Sequence, residues 1–231
     1  MWTCLRPPGA AGVSSSVRTT WQRRIERARE LAVQSPVLPE LLDFYRQIAR
    51  FQSVVAEGPA PANLEALQQL VRRGAPGAST GGADPMHAFF ARVLLQANAA
   101  GSDRRSRPAS GVASLCPLCA EKPVAAVLRP AGIGGARFLL CGLCFTEWEH
   151  ACNLCPNCGE ADAEKLRVYT DEEFPHVRVE ACRSCRVYLK WIDLTLDGRA
   201  VPEVDEIASV VLDLWAADHG FTKLQTNLFG M

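Results

Sequence analysis

Apolar positions recur at helical spacing in four stretches of the first hundred residues. The stretches are 19–34, 40–56, 63–74 and 85–100. Apolar side chains return every three to four positions in each of them, which is typical of a helix with one buried face. For the second stretch, the spacing predicts that the buried face consists of Leu41, Phe44 or Tyr45, Ile48, and Phe51 or Gln52.

The pattern changes after residue 115. Short β-prone runs alternate there with turns rich in Gly, Pro, Asn and paired cysteines, which predicts small hairpins. Helical spacing returns in residues 201–220, where Gly220 is a plausible C-terminal cap. The predicted apolar face of this last helix consists of Val204, Ile207, Val210 or Val211, and Leu214 or Trp215. Two linker-like segments, 74–84 and 101–114, interrupt the chain, and the second marks a domain boundary.

Composition and charge narrow the class of protein. The chain has 231 residues, of which 48% are hydrophobic and 22% charged, so it can bury a core. No apolar run approaches the length of about 18 residues that a membrane span needs, and the first residues lack the apolar segment of a secretory signal. We therefore expect a cytoplasmic protein without a membrane span.

Charge is divided unevenly along the chain although the net charge is zero. Residues 1–110 contain 14 Lys and Arg against 8 Asp and Glu, whereas residues 111–231 contain 11 against 17. Binding to phosphates needs a positive surface. The acidic second half therefore argues against a nucleic-acid partner.

Ten cysteines provide the strongest chemical signal. Nine of them lie between residues 116 and 185, and such clustering in a reducing compartment indicates metal ligation rather than disulfides. Gaps of 21 and 23 residues separate the first Cys-x-x-Cys turn from the second and the third from the fourth, which leaves room for two strands in each gap. Two such turns on neighbouring strands supply four thiolates to one ion. We predict two sites, made of Cys116, Cys119, Cys141 and Cys144, and of Cys155, Cys158, Cys182 and Cys185.

The segment "CNLCPNC" at 152–158 offers two overlapping pairs that share Cys155. We assign Cys155 and Cys158 to the metal, because Pro156 sets the turn and Gly159 accepts the left-handed backbone that leaves it. Cys152 is then either a small residue packed beside the site or a thiol able to exchange or carry sulfur.

Two other readings of this segment are disfavoured. An iron–sulfur cluster would use all three cysteines, but Asp162 stands where the fourth would be needed. His150 is the histidine nearest a site, and we expect it to lie at the surface.

These patterns predict an α+β fold, with an N-terminal helical domain, two small rubredoxin- or zinc-ribbon-like β modules and a C-terminal amphipathic helix. The predicted boundaries are 1–110, 111–151, 152–200 and 201–231. Each module would hold one iron or zinc ion, since four thiolates suit both metals. Such sites have no open coordination position, and the sequence shows no catalytic motif elsewhere, so we do not expect an enzyme.

Several motifs around the cysteines match a known family. Besides the four Cys-x-x-Cys turns, they are "TEW" at 146–148, "YLK" at 188–190 and "ASVVLD" at 208–213. With these motifs the chain resembles the formate dehydrogenase accessory proteins of the FdhE family, and residues 24–52 are similar to that family's helical start more loosely. Cys152 departs from the family pattern, so the resemblance implies no role for it.

The resemblance implies a cytoplasmic maturation factor with tandem rubredoxin-like modules. Such a factor binds the catalytic subunit of a molybdenum or tungsten formate dehydrogenase and is needed for formation of the active enzyme. The residues themselves also allow a rubredoxin-like electron carrier or a zinc-ribbon nucleic-acid-binding protein. The sequence leaves homo-oligomerisation open.

Overall fold

The structure is a computed structural model that describes residues 17–34, 39–57, 63–73, 84–99, 105–106, 114–132 and 134–231. Its helices are α1 (Val17–Gln34), α2 (Pro39–Glu57), α3 (Leu64–Arg73), α4 (Pro85–Ala99), α5 (Pro202–Ala208) and α6 (Val210–Asp218). Its strands are β1 (Arg105–Ser106), β2 (Pro123–Ala131), β3 (Gly134–Cys141), β4 (Glu147–Glu149), β5 (Leu166–Thr170), β6 (Val177–Cys182), β7 (Val187–Asp193) and β8 (Thr222–Lys223). The predicted α+β fold is confirmed.

All four N-terminal helices lie where helical spacing predicts them, but the buried face of α2 is turned by one residue. Its buried side chains are Leu42, Tyr45, Ile48, Ala49 and Gln52. Phe44 and Phe51, which the spacing allowed on that face, are 48% and 51% exposed. The face is set by its neighbours, because α2 packs on both α1 and α4.

Two buried amides connect α2, through α4, to the first cysteine turns. Gln52 donates from Nε2 to Val93 O at 2.9 Å and to Gln96 Oε1 at 3.1 Å. Gln96 in turn donates to Gly142 O at 2.8 Å. Since a buried amide without partners costs about 1–3 kcal/mol, this chain of bonds fixes the position of the helices on the β half.

The strands form one sheet in the order β1-β4-β3-β2-β7-β6-β5, and β8 pairs with β7. Antiparallel pairing makes one unit of β2, β3 and β4 and a second unit of β5, β6 and β7. The two units meet where β2 runs parallel to β7, with Ala126, Val127 and Leu128 opposite Trp191, Ile192 and Asp193. The two predicted β modules are thus present and share a single sheet. The division of the chain at residues 110, 151 and 200 stays a prediction.

The C-terminal helix that the sequence predicts is divided in two at Ser209. Val204, Ile207 and Val210 are buried as expected, and Trp215, one of the two alternatives for the last position, is half-buried. Leu214, the other alternative, is 62% exposed, and Leu212 and Ala216 also face the core. The break leaves backbone carbonyl groups near Ser209 without helical hydrogen-bond partners, and a buried lysine donates a hydrogen bond to them. The predicted cap is observed, since Gly220 has φ +73° and donates to Ala217 O at 2.8 Å.

That lysine, Lys190, is the centre of a buried network between the sheet and the C-terminal helices. Its Nζ donates to Glu206 O, to Ser209 Oγ at 3.2 Å and to Asp213 Oδ2 at 2.6 Å. Tyr188, two residues earlier and therefore on the same face of β7, donates to Asp213 Oδ1 at 2.7 Å. The "YLK" motif thus has a structural role, which is to anchor α5 and α6 on β7.

Buried ion pairs hold α1 against α5. Arg27 binds Asp205, with Nη2 at 2.5 Å from Oδ1, and reaches Asp197 at 3.0 Å. Arg24 donates to Glu203 Oε1 at 2.6 Å. Asp205 also accepts from the Val201 N–H at 2.7 Å, so the carboxylate that receives Arg27 caps the start of α5. No helix within the described ranges is long and apolar enough to cross a membrane.

Replacement of Arg27 tests whether this pair holds the helices to the β half. Arg27→Met leaves the Asp205 carboxylate, which is 1% exposed, without its guanidinium. We expect a loss of about 3 kcal/mol in the free energy of unfolding, measured by urea denaturation. Arg23→Met, an exposed position on the same helix, is the control and should change stability by less than about 0.5 kcal/mol. Equal, small effects of the two variants would contradict the role given to Arg27.

Candidate metal centres

All four Cys-x-x-Cys turns have one backbone arrangement. In each, the residue after the second cysteine has a left-handed φ and donates its N–H to the carbonyl of the first cysteine. The residues are Ala120 (φ +58°, 2.9 Å), Phe145 (+55°, 3.2 Å), Gly159 (+75°, 3.0 Å) and Arg186 (+58°, 2.9 Å). The sequence predicted this conformation only at Gly159. At a residue other than Gly it costs about 1–2 kcal/mol, so the other three turns store strain that the fold or a bound ion has to offset.

The first candidate centre lies between the turn that precedes β2 and the turn that follows β3. The Sγ atoms of Cys116, Cys119, Cys141 and Cys144 all lie within 4.8 Å of one another. Neighbouring pairs are 3.4 to 3.5 Å apart. The N–H groups of Leu143 and Cys144 point at Cys141 Sγ from 3.4 Å, as donors to a thiolate would.

This first centre is enclosed. Cys141 is fully buried, and Cys116 and Cys144 are nearly so. They belong to a core cluster with Leu139 and Trp148 from the sheet and with side chains of α3 and α4. Thr146, also fully buried, places Oγ1 at 3.1 Å from Cys144 Sγ. Nothing in the local pattern around Thr146 indicated this contact except its place in the "TEW" motif.

The second candidate centre repeats the arrangement between the turn that precedes β5 and the turn that joins β6 to β7. Its members are Cys155, Cys158, Cys182 and Cys185, again with all Sγ atoms within 4.8 Å. Cys155 lies 3.8 Å from Cys185, and Cys158 lies 3.7 Å from Cys182. Unlike any cysteine of the first centre, Cys158 is exposed to solvent.

A carboxylate connects the two turns of the second centre. Glu160 accepts from the Ser184 hydroxyl at 2.5 Å, and its carbonyl accepts the Cys155 N–H at 2.9 Å. The hydrogen bond from Ser184 lowers the pKa of Glu160 to about 2. The contact joins residues 24 positions apart, so spacing rules based on the cysteines alone did not reveal it.

Both groups fit a tetrahedral thiolate ion. With metal–sulfur bonds of about 2.3 Å, two ligands of such an ion lie about 3.8 Å apart. The second group has this spacing, and the first needs an expansion of about 0.3 Å. Hydrogen bonding among the four thiols lowers the pKa values of Cys116 and Cys144 and raises those of Cys119 and Cys141. Metal binding therefore has to displace protons from the group.

The structure brings together the same eight cysteines that the sequence predicted as ligands, and that they bind metal stays a prediction. It groups Cys155, not Cys152, with Cys158 and the last turn. Cys152 lies outside both groups, half-buried, and its carbonyl accepts a hydrogen bond from Arg137 Nη1 at 3.2 Å.

Arg137 joins the two units beside the second centre. Its guanidinium donates to Glu180 Oε1 at 2.9 Å and lies 4.2 Å from the centre of the Trp191 ring. Burial raises the pKa of Glu180 and is opposed by the charge of Arg137. Arg137 and Glu180 each lie in a β-prone run together with apolar residues, and opposite charges in two such runs were the available signal for this pair.

The expectation that His150 lies at the surface is wrong. Its side chain is buried, and Nε2 lies 3.2 Å from Leu154 O. The backbone N–H of His150 donates to Arg137 O at 3.2 Å, which holds the residue against β3 where the chain passes from the first unit to the second. Local polarity could not predict this position, since the burial comes from the meeting of the two units.

Comparison with known proteins agrees with the cysteine pattern. Residues 115–151 match the description "FdhE, central domain" and residues 151–229 match "FdhE, C-terminal domain". The chain is 40% identical over 116 residues to the Protein FdhE homolog of Aquifex aeolicus, covering 50% of this chain and 41% of that protein. It is 37% identical over 115 residues to the Protein FdhE homolog of Haemophilus influenzae, covering 49% of this chain and 37% of that protein.

The matched segment thus spans about two fifths of the length of these relatives. A solved structure extends the likeness of fold to the helices. The crystal structure of the FdhE protein from Pseudomonas aeruginosa aligns with a TM-score of 0.70 and 24% identity, over 94% of this chain and 97% of that one.

Metal analysis of purified protein tests the assignment of the eight ligands. We expect about two iron or zinc ions per chain after anaerobic purification, because each complete group offers four thiolates. Cys155→Ser should remove about one ion, whereas Cys152→Ser, which changes a cysteine outside both groups, should remove none. The reverse pattern would show that the wrong pair in "CNLCPNC" was assigned.

The difference in burial predicts the order in which the ions leave. In the zinc-loaded protein, a chromogenic chelator should remove one ion in a fast phase from the second centre, where Cys158 is exposed, and the other in a slow phase. Cys155→Ser should abolish the fast phase and Cys141→Ser the slow one. A fast phase that persists in Cys155→Ser would contradict this order.

Proposed function

Because residues 115–229 make the chain a member of the FdhE family, we propose that it is an accessory factor for formate dehydrogenase. It binds the catalytic subunit of a molybdenum or tungsten enzyme and acts during formation of the active form. The family membership of the cysteine half carries this proposal, since fold alone does not determine function.

The chemistry of the two centres supports a binding role over a catalytic one. Each group offers four protein sulfurs to one ion, and such closed sites are structural because no position is left for substrate or water. We therefore propose that the protein is not an enzyme. The eight cysteines hold two ions, iron or zinc, and these ions fix the positions of the four Cys-x-x-Cys turns.

The state of the cysteine thiols also supports a cellular compartment for the protein. All eight are free, and five of them are buried inside the fold. Thiols persist in the reduced state in the cytoplasm, where glutathione and thioredoxin oppose disulfide formation. We propose that the protein meets its client in that compartment.

One observation favours electron transfer as a second candidate function. Cys158 brings the second centre to the surface, and an exposed thiolate is a route for an electron to leave an iron centre. This function requires iron, because zinc has no accessible redox change. A physiological zinc content in the second centre would therefore exclude it.

An affinity experiment tests the accessory role. The full chain, as bait in anaerobic lysate of its own cell grown under conditions that induce formate dehydrogenase, should enrich the catalytic subunit of that enzyme, as read by mass spectrometry. The variant Cys155→Ser/Cys182→Ser should lose the subunit, because it removes two of the four sulfurs of the second centre.

The matched control is Cys152→Ser, which should retain the subunit because Cys152 lies outside both groups. Circular dichroism of the variants separates loss of binding from loss of fold. If no molybdenum or tungsten enzyme is enriched by the wild-type chain, the proposal is overturned, and the metal content of the second centre then decides whether electron transfer takes its place.

A further inference from the structure

A cavity of about 330 Å³ opens between the helical part and the C-terminal tail. Its walls are mostly apolar and include Val71 of α3, Ala88 and Phe89 of α4, and Leu228 and Phe229 of the tail. Sites for small molecules have volumes of about 300–1,000 Å³ and combine apolar walls with a few polar groups. The size and lining of this cavity are therefore those of a small-molecule site, and none of the eight cysteines lines it.

The lining of the cavity includes one cation, Arg92 of α4. Its Nη1 is buried and has no hydrogen-bond partner, and within the described ranges its guanidinium takes part in no ion pair. The fully buried guanidinium groups of Arg27 and Arg137, by contrast, are paired with Asp205 and Glu180. Arg92 is half-buried, so its guanidinium is partly withdrawn from water without an ion-pair partner, and an anion bound in the cavity can supply that partner.

The carboxylates around the cavity do not serve as that anion. Glu206, which Asn227 connects to the cavity wall, is bound by Lys190, Lys223 and Asn227. Burial lowers the pKa of Arg92, and the charges of Glu121, Cys141 and Cys119 only partly oppose this. None of these three accepts a hydrogen bond from it in the described part of the chain.

We propose that this cavity binds a small organic carboxylate with an apolar body, whose carboxylate pairs with Arg92. The fork of a guanidinium matches the two oxygens of a carboxylate, and the aliphatic and aromatic walls receive the rest of the molecule. A phosphate suits the cavity less well, because a single arginine cannot satisfy its further charge and oxygens among apolar walls.

Binding of hexanoate tests the site, and hexanamide, an uncharged molecule of similar size, is the control. Isothermal titration and ligand-observed NMR with the metal-loaded full chain should show binding of hexanoate and at least about tenfold weaker binding of hexanamide, which lacks the charge. Equal binding of the two, or no binding of hexanoate, overturns the proposal.

Two variants locate the binding. Arg92→Gln should weaken hexanoate binding by about tenfold or more, while Arg46→Gln, which alters an arginine that pairs with Asp43 outside the cavity, should not. Ala88→Leu should also abolish binding, since its larger side chain grows into the cavity from a half-buried helical position that tolerates leucine.

Metal content distinguishes a ligand site from a simpler role of Arg92. If the guanidinium serves only to balance the thiolates of the first centre, Arg92→Gln sheds one ion, and hexanoate does not bind the wild-type chain. That result overturns the proposal. If Arg92→Gln loses an ion although the wild-type chain binds hexanoate, the Ala88→Leu variant distinguishes the two roles. Unchanged hexanoate binding by Ala88→Leu overturns the proposal, and loss of hexanoate binding supports it.

Discussion

The parallel pairing of β2 with β7 is the contact on which the rest of this structure depends. Each four-Cys unit alone is a small β structure whose core is too thin to be stable without help. The pairing of Ala126, Val127 and Leu128 with β7 merges the two units into one sheet with two buried faces. That sheet is large enough to receive α5 and α6 and, through α5, the pair of α1 and α2.

Buried charges determine how the layers are oriented on this sheet. Arg27 joins α1 to α5, Lys190 joins β7 to α6, and Arg137 joins β3 to β6 across the boundary between the units. Apolar packing alone tolerates small rotations between layers, whereas each of these pairs has a narrow geometry and a high cost when it is broken.

The sequence predicted what depends on local patterns and missed what depends on distant contacts. Helical spacing located α1 to α4, and cysteine spacing identified the two groups, because the four Cys-x-x-Cys turns of this chain share one local structure. The rotation of α2, the break at Ser209 and the burial of His150 all arise from neighbours far away in the chain. Charged residues within β-prone runs, such as Lys190 and Glu180, were the sequence features that indicated such distant contacts.

The late position of β7 in the chain has a consequence for synthesis on the ribosome. The first four-Cys unit has all its ligands once residue 144 emerges, whereas the strand that covers β2 begins at Val187. At about 5–20 residues per second, β2 is left for seconds as an unpaired edge of apolar residues, which is a template for aggregation. The newborn chain is therefore most vulnerable between the completion of its first four-cysteine group and the synthesis of β7, and slower translation of the second unit lengthens that interval.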